Sequence, residues 1–186
     1  MASLVGFYSL IFAFIFSFLV VFFSIRNLRN ALIFDNKIIS LTFLQLFFVI
    51  ISFSGLILSF INSDFSNETV FNHSHTTKPL FYKISGSWGN HEGSLLLWLL
   101  VLTLFLFLFL INSKQQLKSY RILTLLIQQL IIVGFLIFLL KTSSPFNYIF
   151  PIPDEGLGLN PILQDPALAV HPPILYLGYV GTSIIF

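Results

Sequence analysis

A single histidine, His171, stands at the start of an apolar segment and is the main candidate for metal chemistry in this sequence. It lies in residues 163–181, LQDPALAVHPPILYLGYVG, between an Asp-Pro pair and a Pro-Pro pair. Proline fixes φ and is well accepted at the first helical position, so Pro172-Pro173 are expected to begin a helix with His171 at its cap. A ring held by such stiff backbone meets the geometric requirement for an axial metal ligand. A buried, hydrogen-bonded histidine without a metal is the alternative interpretation.

A second group of candidates lies in residues 78–98, KPLFYKISGSWGNHEGSLLLW, where His91 and Glu92 are adjacent and flanked by glycines. Asn90 is a suitable helix N-cap, and a glutamate in the first turn interacts favourably with the helix dipole. Trp88 and Trp98, the only tryptophans, bracket the start of the next apolar segment as interfacial anchors do. An anchor and a capped helix account for the tryptophans and Asn90, but not for the His91-Glu92 pair. We therefore keep that pair as a functional candidate.

The other two histidines, His73 and His75, lie in a polar run at residues 62–77, NSDFSNETVFNHSHTT. The run has no periodicity and is expected to be an exposed segment, so solvated loop histidines are the expected role. Asn67-Glu68-Thr69 and Asn72-His73-Ser74 match the glycosylation acceptor pattern, which matters only where this face meets a secretory lumen.

The composition is that of a membrane protein. Of 186 residues, 56% are hydrophobic and 9% charged, and the mean hydropathy is +0.94, which lies outside the range of soluble domains. The formal net charge of +2 is too small to indicate nucleic acid as a partner. The sequence has no cysteine, which excludes disulfides, thiolate nucleophiles, iron–sulfur ligation and thioether attachment of a cofactor to this chain. Any metal chemistry here must use nitrogen or oxygen ligands.

Five apolar segments predict an all-α, polytopic transmembrane helix bundle, which forms a single membrane domain over residues 1–186. A lipid core of about 30 Å requires about 20 apolar residues in a helix, because every backbone polar group must be satisfied within the segment. Four segments are long enough to span it, and a shorter fifth segment is the start of another span. The predicted spans are residues 4–25, 38–61, 95–111, 122–140 and 174–186. The first lacks a basic leader and is too long for a cleavable signal peptide, so we expect a permanent helix.

The distribution of charge predicts how the bundle is oriented. The links after the first and third spans carry the basic residues Arg26, Arg29, Lys37, Lys114, Lys118 and Arg121. The other two links, residues 62–94 and 141–173, hold three basic residues against six acidic ones. The positive-inside rule therefore predicts that these two long loops face outward, away from the cytoplasm or matrix. All four histidines fall in the two outward loops.

Two segments resemble signatures of a known family. Residues 87–98, SWGNHEGSLLLW, and residues 159–181, LNPILQDPALAVHPPILYLGYVG, are similar to the N-terminal half of CcmF, the haem lyase family of the cytochrome c maturation system. The resemblance implies a many-helix membrane protein that takes haem from a haem chaperone and, with partner subunits, directs its attachment to apocytochrome c.

The resemblance also implies roles for individual residues. The histidine of the family's His-Pro-Pro motif is an outward-facing axial ligand of haem iron, which implies this role for His171. For Trp88, His91 and Glu92 the resemblance implies only a place near the haem site. If haem is bound here, cations are the expected partners of its propionates, and Lys78 and Lys83 of the first outward loop could serve.

Several parts of the CcmF pattern are missing from this sequence. The tryptophan-rich WWD segment, the second outward histidine and the two intramembrane histidines of a resident b-type haem would all follow residue 186. We therefore expect a split gene, in which other haem lyase fragments supply these parts, as occurs in some mitochondria; a shortened remnant is the alternative.

The sequence thus predicts the N-terminal subunit of a cytochrome c haem lyase that is not catalytic alone. The expected location is the mitochondrial inner membrane, with a bacterial plasma membrane as the alternative, and the long loops would face the intermembrane space or periplasm. A non-catalytic structural subunit of a larger inner-membrane complex is the alternative from a different class. A transporter is not favoured, because no span carries an ionisable residue near its centre.

Overall fold

A computed structural model of the chain describes residues 1–29 and 36–184. In these residues the chain forms seven α-helices and one 3₁₀ turn. They are α1 (Ala2–Arg29), α2 (Asn36–Ile61), α3 (Glu68–His73), α4 (Leu80–Gly86), α5 (His91–Asn112), α6 (Lys118–Lys141) and α7 (Pro166–Thr182), with the 3₁₀ turn at Pro161–Gln164. Helices α1, α2, α5 and α6 are long and apolar enough to cross a membrane. The prediction of an all-α membrane bundle with four full spans is confirmed.

The four long helices form a closed ring. Helix α1 packs on α2, α2 on α5, α5 on α6, and α6 returns to α1. Leu10, Leu56, Leu96 and Leu136, one from each helix, are fully buried at 0% exposure in the core that the ring encloses. The outer faces carry many exposed phenylalanine, leucine and isoleucine side chains, which suit contact with lipid. Helix α7 lies outside the ring and packs mainly on α5.

Helices α1 and α2 approach closely at two glycines. A Cβ atom added to Gly55 of α2 would lie 3.0 Å from the Cα of Gly6 in α1. Small residues allow such contact between backbones. Van der Waals packing of this kind is important between membrane helices, because the hydrophobic effect does not drive their association in lipid. Deeper in the bundle, the Gln129 side chain donates a hydrogen bond to Oε1 of Gln45 at 3.0 Å and so links α6 to α2.

The two long loops lie together and are joined by backbone hydrogen bonds. The N–H of Glu68 donates to the carbonyl of Asn147 at 2.9 Å, and the N–H of Leu157 donates to the carbonyl of Phe71 at 2.8 Å. Because the loops brace each other, residues 142–160 keep a fixed path although no helix is found there. Residues 142–160 thus lead from the end of α6 to the 3₁₀ turn and the start of α7.

The prediction that residues 62–77 form an exposed segment is wrong. Asn67 is only 1% exposed, and its Oδ1 caps α3 by accepting the N–H groups of Thr69 and Val70 at 2.9 and 3.2 Å. Its amide nitrogen donates to Oγ of Ser3 and to the carbonyl of Pro145, both at 2.9 Å. A six-residue helix is too short to show a periodic pattern in the sequence. Since the Asn67 amide is buried and fully used, it is not a glycosylation acceptor in the folded chain.

Candidate functional site

The helix that carries His171 begins at Pro166, so the expectation that Pro172-Pro173 begin it is wrong. Asp165 is the N-cap, and its carboxylate accepts hydrogen bonds from the N–H groups of the first two residues after Pro166, at 2.8 and 3.1 Å. Pro166 takes the first helical position, where its missing N–H has no consequence. His171 therefore lies in the second turn of α7 rather than at its cap, and a regular helix holds it in place.

The two prolines after His171 lie inside α7 and change its hydrogen bonding. Because proline has no N–H, Pro173 cannot donate to the carbonyl of Ala169, its normal partner four residues earlier. The indole Nε1–H of Trp88, in the turn between α4 and α5, donates to that carbonyl at 2.8 Å. Neighbouring groups that satisfy freed carbonyls are a main reason why membrane helices tolerate proline. One hydrogen bond thus joins the two sequence motifs.

One face of α7 packs on the bundle. Ala169 is 4% exposed, and the ring of Tyr176 stacks on Trp98 of α5 with the ring centroids 5.2 Å apart. Just beyond the end of α7, the side chain of Gln128 in α6 donates to the carbonyl of Ser183 at 2.6 Å. The helix is therefore held near its beginning, in its middle and at its end.

His171 lies on the opposite face. It is two residues from Ala169, which places it about 200° around the helix axis. The imidazole ring is exposed, and within residues 1–29 and 36–184 it takes part in no hydrogen bond or ion pair. The alternative of a buried, hydrogen-bonded histidine therefore does not hold. The ring lies at one end of a shallow, open groove along one face of α7, lined by His171, Ile174, Leu175, Gly178, Tyr179 and Thr182.

This arrangement offers one nitrogen ligand beside an apolar surface. A neutral imidazole has one ring nitrogen with a free lone pair, which can bind a metal. In the part of the chain that the structure describes, no group of three or more His, Asp or Glu side chains could hold a metal ion. His171 therefore offers a single ligand within the described residues, and the groove beside it is apolar and open on one side.

The other candidate residues, Trp88, His91 and Glu92, contact different parts of the bundle. Trp88 contacts α7 through the Ala169 carbonyl, whereas His91 is the exposed first residue of α5 and its ring lies edge-on to Phe138 of α6, with the centroids 6.3 Å apart. Glu92 acts electrostatically on His73 of α3. Of Trp88, His91 and Glu92, only Trp88 has a hydrogen bond to α7 within the described residues. The predicted N-cap of α5 is confirmed, because Asn90 accepts the N–H of Gly93 at 2.7 Å.

Titratable side chains form a second cluster between α3 and the start of α5. Burial lowers the pKa of His73; the Glu92 carboxylate opposes this shift, and the Lys78 ammonium adds to it. Burial also lowers the pKa of Lys78, whose Nζ is enclosed and has no hydrogen-bond partner among the described residues. The ammonium of Lys83 donates to Oγ of Ser63 at 2.8 Å. The two lysines that the sequence offers to acidic groups of a ligand therefore differ in their surroundings.

Sequence reasoning missed a link between the two loops at Glu155. Its carboxylate accepts hydrogen bonds from the hydroxyl and N–H of Thr76 and from the N–H of Gly156. The Thr76 hydroxyl is the main cause that lowers the pKa of Glu155 to about 2. Nε2 of His75 lies 3.9 Å from the same carboxylate. No sequence signal marks this link, because Thr76 and Glu155 are 79 residues apart.

Comparison with known proteins identifies the family. The model of the family described as "Cytochrome C assembly protein" matches residues 88–186, a segment that begins at Trp88 and includes all of α7. The chain belongs to this family. The resemblance to CcmF, inferred from the two motifs, is thereby confirmed.

Individual relatives agree with this assignment. Over 141 residues, or 75% of this chain, it is 47% identical to the cytochrome c-type biogenesis protein CycK of Rhizobium meliloti. Over 136 residues, or 73% of this chain, it is 43% identical to CcmF of Escherichia coli strain K12. These matches cover 21% of each relative, so the chain spans about a fifth of the length of the curated relatives it matches. A solved structure, "Cytochrome c Heme Lyase CcmF", superposes with a TM-score of 0.79 at 27% identity and covers 99% of this chain and 29% of that one.

Proposed function

We propose that this chain is the N-terminal part of a cytochrome c haem lyase, which helps to receive haem and to position it for covalent attachment to apocytochrome c. In this proposal His171 is an axial ligand of the haem iron. The observation that carries the proposal is the His171 ring itself, which is exposed and unpaired within the described residues at the end of an apolar groove.

The residues present fit haem as a substrate. An exposed imidazole can supply one axial nitrogen, and the apolar lining of the groove suits the hydrophobic face of a porphyrin. Haem supplies the vinyl groups to which cysteine thiols of apocytochrome c add. Since this chain has no cysteine, it cannot be the thioether acceptor. Its own residues act by positioning: His171 binds the iron, α7 orients the imidazole ring, and the apolar side chains of the groove contact one side of the porphyrin.

Residues 1–186 hold only part of the site in this proposal. The tryptophan-rich WWD segment and the second histidine lie outside these residues, and a haem chaperone delivers haem. Lys78 and Lys83 of the first long loop are the cations that we propose as partners of the haem propionates.

We also propose a mitochondrial inner membrane as the location, with the long loops facing the intermembrane space. A bacterial plasma membrane, with the loops in the periplasm, is the alternative. Fractionation of cells that express the tagged chain decides between the two locations.

The test of this function is His171→Ala in the assembled lyase. We expect the haem recovered with the purified complex and the yield of holocytochrome c to fall to background. His75→Ala is the control, because it removes a histidine that precedes α4 and lies outside the groove of α7. Unchanged haem content and cytochrome yield in His171→Ala would reject the ligand assignment and favour the alternative, a structural subunit of a larger membrane complex. Trp88, His91 and Glu92 remain proposed neighbours of the haem site, and their alanine variants belong in the same series.

A further inference from the structure

We infer that Trp88 is a positioning residue for His171, which acts through the Ala169 carbonyl that Pro173 leaves free. The inference rests on the proposed function, since it assigns Trp88 a role in placing the haem ligand. Trp88 touches the helix backbone rather than the groove, because its indole N–H ends on the face of α7 opposite His171.

The indole is held in one orientation. Trp88 is partly buried against the core, and it lines a small space of about 10 Å³ together with residues before and within α7, including Leu159, Leu163 and Pro172. These neighbours limit rotation of the indole, so the direction of its N–H is set by the turn between α4 and α5. Through the hydrogen bond of 2.8 Å to the Ala169 carbonyl, the fixed N–H limits the orientation of α7.

The position of this bond on the helix matters. Ala169 and His171 are two residues apart and lie on nearly opposite sides of α7. A hydrogen bond at Ala169 therefore limits rotation of the helix about its axis, and that rotation decides where the His171 ring points. Other contacts of α7 lie further along, such as the stacking of Tyr176 on Trp98.

Pro173 makes the bond necessary. With any other residue at position 173, the helix itself would donate an N–H to the Ala169 carbonyl. The proline removes that donor, so the carbonyl depends on Trp88. This separates two roles that can be tested independently: satisfying a buried carbonyl, and tying α7 to the α4–α5 turn.

The experiment uses the assembled haem lyase with Trp88→Phe, Pro173→Ala and the double variant. Trp88→Phe keeps an aromatic ring but removes the N–H, so one buried carbonyl is left unsatisfied and we expect a lower thermal midpoint. Because the tie between α7 and the α4–α5 turn is lost as well, we expect roughly a tenfold loss of haem affinity, the size of effect that one hydrogen bond commonly has. In the double variant the alanine that replaces Pro173 brings a backbone N–H, which satisfies the carbonyl through the helix. We expect the thermal midpoint to recover while haem affinity and the haem reduction potential stay altered, because the tie to the turn is still missing.

The controls make the outcomes distinct. Trp98→Phe removes the other tryptophan of the chain, and Pro173→Ala alone keeps the Trp88 bond; both are expected to retain haem. Recovery of haem together with stability in the double variant would show that Trp88 only satisfies a carbonyl, and would overturn the inference. Normal haem binding in Trp88→Phe would overturn it as well. If Trp88→Phe fails to fold, the stabilised double variant still decides. Failure of His171→Ala to affect haem would instead reject the proposed function.

Discussion

Replacing Gly55 with alanine is expected to destabilise the bundle, although alanine is the better helix former. The added Cβ would lie 2.9 Å from the carbonyl oxygen of Ala2 and 3.0 Å from the Cα of Gly6. Both are backbone atoms of α1, so the strain can be relieved only if α1 moves away from α2. Overpacking of this kind costs about 1–3 kcal/mol, whereas the better helix propensity contributes about 0.5–1 kcal/mol. We therefore expect a net loss of roughly 1 kcal/mol.

Gly134→Ala is the matched control for this prediction. It lies in the middle of α6, and among the described atoms none comes within 4 Å of a Cβ at this position. The control thus gains helix propensity without strain. For a chain of this size, about 1 kcal/mol corresponds to roughly 2–4 °C in the thermal midpoint.

The assay for both variants is thermal unfolding of the chain in detergent micelles, followed by far-UV circular dichroism. Gly55→Ala is expected to unfold below the wild type and Gly134→Ala at or above it. Equal midpoints for the two variants would refute the close approach of α1 and α2.

Three further predictions concern buried polar groups. Gln129→Leu leaves the buried amide of Gln45 without its partner and should lower stability by about 1–2 kcal/mol, while Gln45→Leu/Gln129→Leu should recover most of this; additive losses in unfolding experiments would contradict the pairing. Burial lowers the pKa of His73 from 6.5, so the stability that neutral His73 contributes is present above that pH and is lost as the pH falls below it. The thermal midpoint of the wild type should therefore decrease from about pH 7 to about pH 5, and His73→Gln should make this decrease smaller. An unchanged decrease in the variant would show that His73 is not its cause. Asn67→Asp keeps the cap of α3 but removes the amide donor to Pro145, so limited proteolysis should cut the outward loops faster than in the wild type, and equal rates would show that the donor is dispensable.

The long helices were predictable from the sequence. Each of the four spans is a run of apolar residues long enough to cross a bilayer, and this signal needs no knowledge of tertiary contacts. A local signal also makes His171 a candidate, because a lone histidine between an Asp-Pro pair and a Pro-Pro pair is unusual next to lipid, and its role as a ligand stays a prediction. The cap at Asn90 was also predictable, since a cap depends only on residues within one turn.

The structure around His171 was not predictable, because it depends on residues far away in the sequence. Two pairs, Asp165-Pro166 and Pro172-Pro173, are equally good signals for the start of a helix. Helix α7 begins at the Asp165-Pro166 pair and continues through Pro172-Pro173. It can do so because Trp88, 81 residues before Ala169 in the sequence, donates a hydrogen bond to the Ala169 carbonyl, which Pro173 leaves without a donor. The link between Thr76 and Glu155 is hidden in the same way. Local patterns therefore mark candidate residues, while contacts between distant segments decide how those residues are held.

The most direct test of the central claim is the axial ligation of haem in the assembled lyase that carries His171→Gly. Removing the side chain leaves a space beside α7 into which free imidazole can enter. We expect the variant to lose haem and its absorption signature of nitrogen ligation, and added imidazole to restore both. If the glycine variant binds haem with the wild-type spectrum in the absence of imidazole, His171 is not the ligand.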